Sequence, residues 1–149
     1  MPQQSVGADT YTVTFDGGDL PVARTFGVVN PATRRVFAEG PAVSSEQLDR
    51  IMSRADQAYH EWRIDETARI AALENAAQVI ESNTDYLAGI VTAEQGMPFH
   101  DAQAEVGRAV EWPRYYAQLD VPREVVQDDH TGYQEGFRRP LGVIAAITP

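Results

Sequence analysis

The sequence predicts an α/β fold, on three observations. Residues 143–147, Val-Ile-Ala-Ala-Ile, are an apolar run with Gly142 behind and Thr148 and Pro149 ahead. That length and β-branched content suit a strand buried on both faces, the kind found in parallel sheets. Four segments between residues 44 and 118 carry apolar side chains at helical spacing, and shorter extended segments flank them on both sides. In open α/β sheets ligands sit outside the carboxyl ends of the strands, so Thr148 and Pro149 are where a site would begin.

The first extended segment follows a polar stretch, residues 1–9, that has little to bury. Tyr11, Val13 and Phe15 alternate with Thr10, Thr12 and Thr14, the period of a half-buried strand, and Asp16-Gly17-Gly18-Asp19 reads as a turn. Residues 25–29 form a second extended segment leading into Asn30-Pro31, where the fixed φ of proline suits a turn; a short strand is expected over residues 35–38.

Ser44 opens the helical part. Gln47, three residues on, completes a capping-box pattern, and Glu46 complements the helix dipole. Leu48, Ile51, Met52, Ala55, Tyr59 and Trp62 share one face, with Trp62 expected as a packing anchor. Asp65 is the N-cap expected for a second helix, with Ala72, Leu73, Ala76, Ala77 and Ile80 as an alanine-rich seam. A third helix restarts at Asn83 or Thr84, carries Leu87, Ile90 and Val91, and stops at Gly96, which can take a left-handed conformation without penalty. The fourth runs from about His100 to Gln118 behind Ala102, Val106, Ala109 and Val110, with a kink expected at Pro113. Residues 121–126 and 131–138 then read as extended arms around Gln127-Asp128-Asp129-His130.

Composition removes several classes of function. The 149 residues carry a net charge of −10, which argues against nucleic acid, since tracking phosphates needs a basic stripe. All 12 basic residues are Arg, so a Walker-type loop and a lysine Schiff base are excluded within these residues. There is no cysteine, hence no thiol nucleophile, thiolate metal site or disulfide. No basic segment followed by an apolar core opens the chain, and no run approaches a membrane span; a cytoplasmic protein without a membrane partner is expected.

The run Pro140-Leu141-Gly142-Val143-Ile144 leading into Ile147-Thr148-Pro149 resembles the opening of the cofactor-binding domain of the NAD(P)-dependent aldehyde dehydrogenases. Glu94-Gln95-Gly96-Met97-Pro98, Trp62, Arg69 and Asn30-Pro31-Ala32-Thr33 extend the resemblance, in matching order, over roughly residues 26–149. It implies the N-terminal part of an aldehyde-dehydrogenase-like fold: residues 1–43 an extended arm, 44–118 the helical part, 119–138 an oligomerisation hairpin and 139–149 the start of the cofactor-binding sheet. It also implies NAD or NADP as cofactor, a small-molecule aldehyde as substrate, and a homodimer or homotetramer. The implied reaction is attack of a cysteine thiolate on the aldehyde, hydride transfer to nicotinamide and thioester hydrolysis. None of the catalytic groups lies within these residues. By resemblance Ile147, Thr148 and Pro149 line the wall of the cofactor cleft, through backbone and apolar surface.

Other constellations carry little chemistry. Glu94, Glu105 and Glu111 have no histidine or basic partner at a useful spacing, and His60-Glu61 does not extend to His-Glu-x-x-His because position 64 is Ile; no metal site is expected. No Gly-x-Gly-x-x-Gly follows a strand. By resemblance Glu94 matches a position where a carboxylate can join a monovalent-cation site, although holding the helix end at Gly96 is the simpler role and Met97 stands where the family commonly has Lys. The alternative reading of the whole is a non-catalytic helical interaction or oligomerisation module, equally compatible with the four helix faces.

Overall fold

The computed structural model describes residues 11–148, and within them six short strands and four helices follow one another in the order ββββααααββ. β1 (Val13–Phe15) and β2 (Gly18–Leu20) form a hairpin. Its turn is tighter than expected: only Asp16 and Gly17 lie outside the ladder, with φ of 52° and 81°. Two consecutive residues at positive φ are what a two-residue turn needs to match the strand twist.

β3 (Arg24–Asn30) pairs antiparallel with β4 (Arg35–Ala42). β4 runs well past the expected end at Ala38, because each residue from Gly40 to Ala42 finds a ladder partner in residues 24–26. Pro41 is tolerated in a two-stranded sheet because its missing N–H can face the open edge. The Asn30 carboxamide oxygen accepts from the backbone N–H groups of Ala32 and Thr33 at 2.9 and 3.2 Å, closing the turn that proline begins.

The helix ends follow local chemistry. Before α1 (Ser45–Trp62), the Ser44 hydroxyl accepts from the Gln47 N–H at 3.2 Å while the Gln47 side chain accepts from the Ser44 N–H at 3.0 Å. Asp65 caps α2 (Glu66–Ser82) by accepting from the Ala68 N–H at 2.8 Å. α3 (Thr84–Gln95) stops at Gly96, φ 76°, whose N–H donates to the Thr92 carbonyl. α4 (Phe99–Gln118) begins on Pro98, whose carbonyl accepts from Asp101 and Ala102, and the helix runs on through Pro113.

Gly96 is fixed for two reasons, since a Cβ there would lie 3.0 Å from the Pro31 ring as well as on a left-handed residue. The end of α3 therefore sits directly on the Asn30-Pro31 turn. Gly96→Ala is expected to cost about 1–3 kcal/mol in a urea titration. Unchanged stability would mean that α3 and the turn can separate freely.

The core is made where α2, α3 and α4 meet, and it is built from small side chains. Ala77, Ala88 and Ala102 are fully buried and Val106, Val110 and Ala117 nearly so; Ile80, Leu87, Val91 and Met97 pack against Ala88, Ala102 and Val106. Small residues let helix backbones approach closely. α1 contributes no buried residue, and Leu48, Met52 and Trp62 on its apolar face remain about half exposed. Trp62 is thus not the buried anchor expected from its place on the stripe. Its carbonyl accepts from the Arg69 guanidinium at 2.9 Å, which ties α1 to the start of α2.

Across the α2–α4 contact, Arg114 donates through two nitrogens to the two carboxylate oxygens of Glu81. The hydrogen bonds and the adjacent positive charge hold the Glu81 carboxyl below its ordinary value of 4.5. A carboxylate whose folded value is depressed stabilises fully above the unfolded value and loses that contribution as pH falls through the folded one. Acid below about pH 4.5 is expected to weaken this joint, modestly because both groups are solvated. Arg114→Met should flatten the acid limb of a stability-against-pH profile; an identical limb in the variant would assign it to other carboxylates.

After α4, β5 (Glu124–Asp129) and β6 (Gly132–Gly136) form a hairpin with a bulge between Val125 and Gln127. The turn is two residues later than expected, at His130-Thr131. Asp129 accepts from the Thr131 hydroxyl and N–H and so organises the corner; these bonds lower its carboxyl below the usual range. Residues 137–148 join no sheet. The strand expected over 143–147 is absent because a strand exists only by pairing, and no described strand runs alongside it. All three sheets are two-stranded and antiparallel, so no parallel ladder forms among the described residues. No helix among them is long and apolar enough to cross a membrane.

Candidate functional site

Residues 139–148 share a cleft with α1 and the start of α2. Pro140 has no N–H, so only its carbonyl can be held, and the Tyr59 hydroxyl donates to it at 3.3 Å. Gly142 then turns the chain at φ 95°, and Val143 faces the C-terminal half of α1. The result is an open cleft of about 590 Å³ between α1, the start of α2 and this segment, walled by Ala55, Tyr59, Trp62, Ala68 and Val143 among others. Glu61 and Asp65 are its acidic groups. It has the apolar walls of a ligand or packing surface but no nucleophile paired with a base.

Beyond Val143, Ile147 is 93% exposed and Thr148 is exposed, and neither is brought together with a titratable group; Pro149 lies outside the described residues. Glu94 is on the last turn of α3, exposed at the rim of a hollow of about 230 Å³ that also has Val28, Phe37 and Ile90 in its wall. It faces the β3–β4 hairpin there, while it is Gly96, two residues on, that meets the Pro31 ring. Among the described residues no group of three or more His, Asp or Glu could hold a metal ion.

Sequence reasoning missed the Tyr59–Pro140 contact. Tyr59 was read only as one member of an apolar stripe, and nothing local signals a partner 81 residues away. Gly142 itself was the one available hint, since a glycine between Leu and Val in an apolar run marks a bend, and its φ is 95°.

Residues 21–149 match the family model described as the aldehyde dehydrogenase family. The chain is 37% identical, over 143 residues, to malonate-semialdehyde dehydrogenase 2 of Geobacillus thermodenitrificans (strain NG80-2), a match covering 91% of this chain and 29% of that protein. Among solved structures it is similar to an aldehyde dehydrogenase from Brucella melitensis biovar abortus 2308, with a TM-score of 0.75 and 24% identity over 87% of this chain and 28% of that one. It is also similar to the glyceraldehyde-3-phosphate dehydrogenase GapN of Methanocaldococcus jannaschii, solved with NADP, at a TM-score of 0.67 and 26% identity over 72% of this chain and 25% of that one. The chain spans less than a third of the length of these relatives.

Proposed function

The chain belongs to the aldehyde dehydrogenase family, and on that premise we propose that its protein oxidises an aldehyde to a carboxylic acid with NAD or NADP, in the cytoplasm. The observation that carries the reading is the family match over residues 21–149. These residues supply scaffold and one wall of the cofactor cleft. Ile147 offers an exposed aliphatic side chain, and no strand ladder occupies the backbone of residues 143–148, so this stretch can present apolar surface and main-chain groups to a dinucleotide. Ile147, Thr148 and Pro149 are the residues we assign to that contact. The dinucleotide, when bound, accepts the hydride. The cysteine-free sequence leaves the nucleophile to other residues of the protein.

The family assignment of residues 119–138 to subunit contacts is supported by a hairpin exposed on both faces, with Val125, Val126 and Tyr133 each more than half exposed. An uncovered apolar ribbon of this kind invites pairing with a second copy. We read the protein as a homodimer or homotetramer; sedimentation as a monomer at micromolar concentration would remove that part of the reading.

The activity is tested on the whole protein with malonate semialdehyde and a simple aliphatic aldehyde, each with NAD and with NADP, following the reduced nicotinamide. Aldehyde-dependent reduction with at least one pair is the expected result. No reduction with any pair, from protein shown to be folded, would refute it.

A further inference from the structure

We propose that Tyr59 is a positioning residue whose phenol fixes where residues 139–148 enter the wall of the dinucleotide cleft. This rests on the assignment of Ile147, Thr148 and Pro149 to that wall. The Tyr59 hydroxyl reaches the Pro140 carbonyl at 3.3 Å, and among the described residues no other hydrogen bond joins the helices to residues 139–148. The bond is placed where it can matter. Pro140 has no N–H with which to join a ladder, and two residues later Gly142, at φ 95°, turns the chain so that Val143 faces Tyr59 and Trp62 across the cleft. A single fixed point ahead of a turn sets the direction in which the following residues leave it.

The ring and the hydroxyl have separable tasks. The ring is half-buried on α1 and packs with the cleft wall; the hydroxyl alone makes the bond to Pro140. Tyr59→Phe therefore removes the anchor and keeps the packing, whereas Tyr59→Leu removes both.

The test compares the whole protein and these two variants by hydrogen exchange over residues 139–148 and by steady-state kinetics. In Tyr59→Phe, exchange through residues 141–148 should speed up about twofold to tenfold, the range expected for one lost hydrogen bond. The KM for the dinucleotide should rise by a similar factor, with kcat within about twofold of wild type, because a displaced wall weakens binding without touching the reacting atoms. Exchange and KM unchanged in Tyr59→Phe would overturn the proposal, as would impairment confined to Tyr59→Leu, which would assign the effect to ring packing. A fall in kcat at constant KM would also overturn it. If the wild-type protein reduces neither dinucleotide, the cofactor reading fails on its own, and the exchange measurement still decides whether Tyr59 anchors the segment.

Discussion

Ala88→Leu is expected to destabilise the helical part by about 1–3 kcal/mol through overpacking. Ala88 has no exposed surface and clusters with Ala102 and Val106 of α4. Leu and Ala have nearly the same helix propensity, so the cost arises from volume alone. Three added carbons must displace α4 or drive Leu87 and Val91 from their rotamers. Ala71, exposed on α2, provides the contrast, and Ala71→Leu should change stability by less than about 0.5 kcal/mol. Denaturant titration of both variants reads the difference directly. Equal stabilities would mean that the α3–α4 seam is loose enough to absorb a leucine.

That seam also shows where the sequence was legible. Signals carried by a few adjacent residues were read correctly: the Ser44 and Gln47 box, the Asp65 cap and the left-handed Gly96 are each decided within one helical turn. Apolar periodicity located the four helices, but it marks which face could be buried and not whether a partner is there. The stripe on α1 therefore seemed a core face and is open, while Ala88 and Ala117, too small to stand out, are buried. The strands expected near residues 13, 25 and 35 are present, but strand bounds were misread where pairing set them. β4 is lengthened by its neighbour β3, the corner of the second hairpin is set by Asp129, and residues 143–147 have the composition of a strand without a ladder. The Tyr59–Pro140 bond lies beyond any local signal for the same reason.

A polypeptide of residues 1–149 by itself is expected to be helical, loosely packed and catalytically inert. Inertness follows from composition, because the thiolate route to aldehyde oxidation needs a cysteine and this sequence has none. Loose packing follows from exposure. Large apolar side chains stand in water: Leu141, Ile144 and Ile147 on the final segment, Ile64 beside the α1–α2 turn, and Val79 on α2 are all more than 60% exposed. Each such side chain left in water forgoes roughly 1.5–3 kcal/mol that burial would contribute, and a typical domain holds only about 5–15 kcal/mol in total. The alanine core between α2, α3 and α4 buries too little per residue to compensate. Helical far-ultraviolet dichroism should therefore accompany a broad thermal transition, binding of a hydrophobic dye, and neither NAD binding nor NADH production. A sharp cooperative melt, from a monomer or a single defined assembly, would show instead that these helices suffice for an independent fold. It would also give new force to the reading of this region as a helical interaction module.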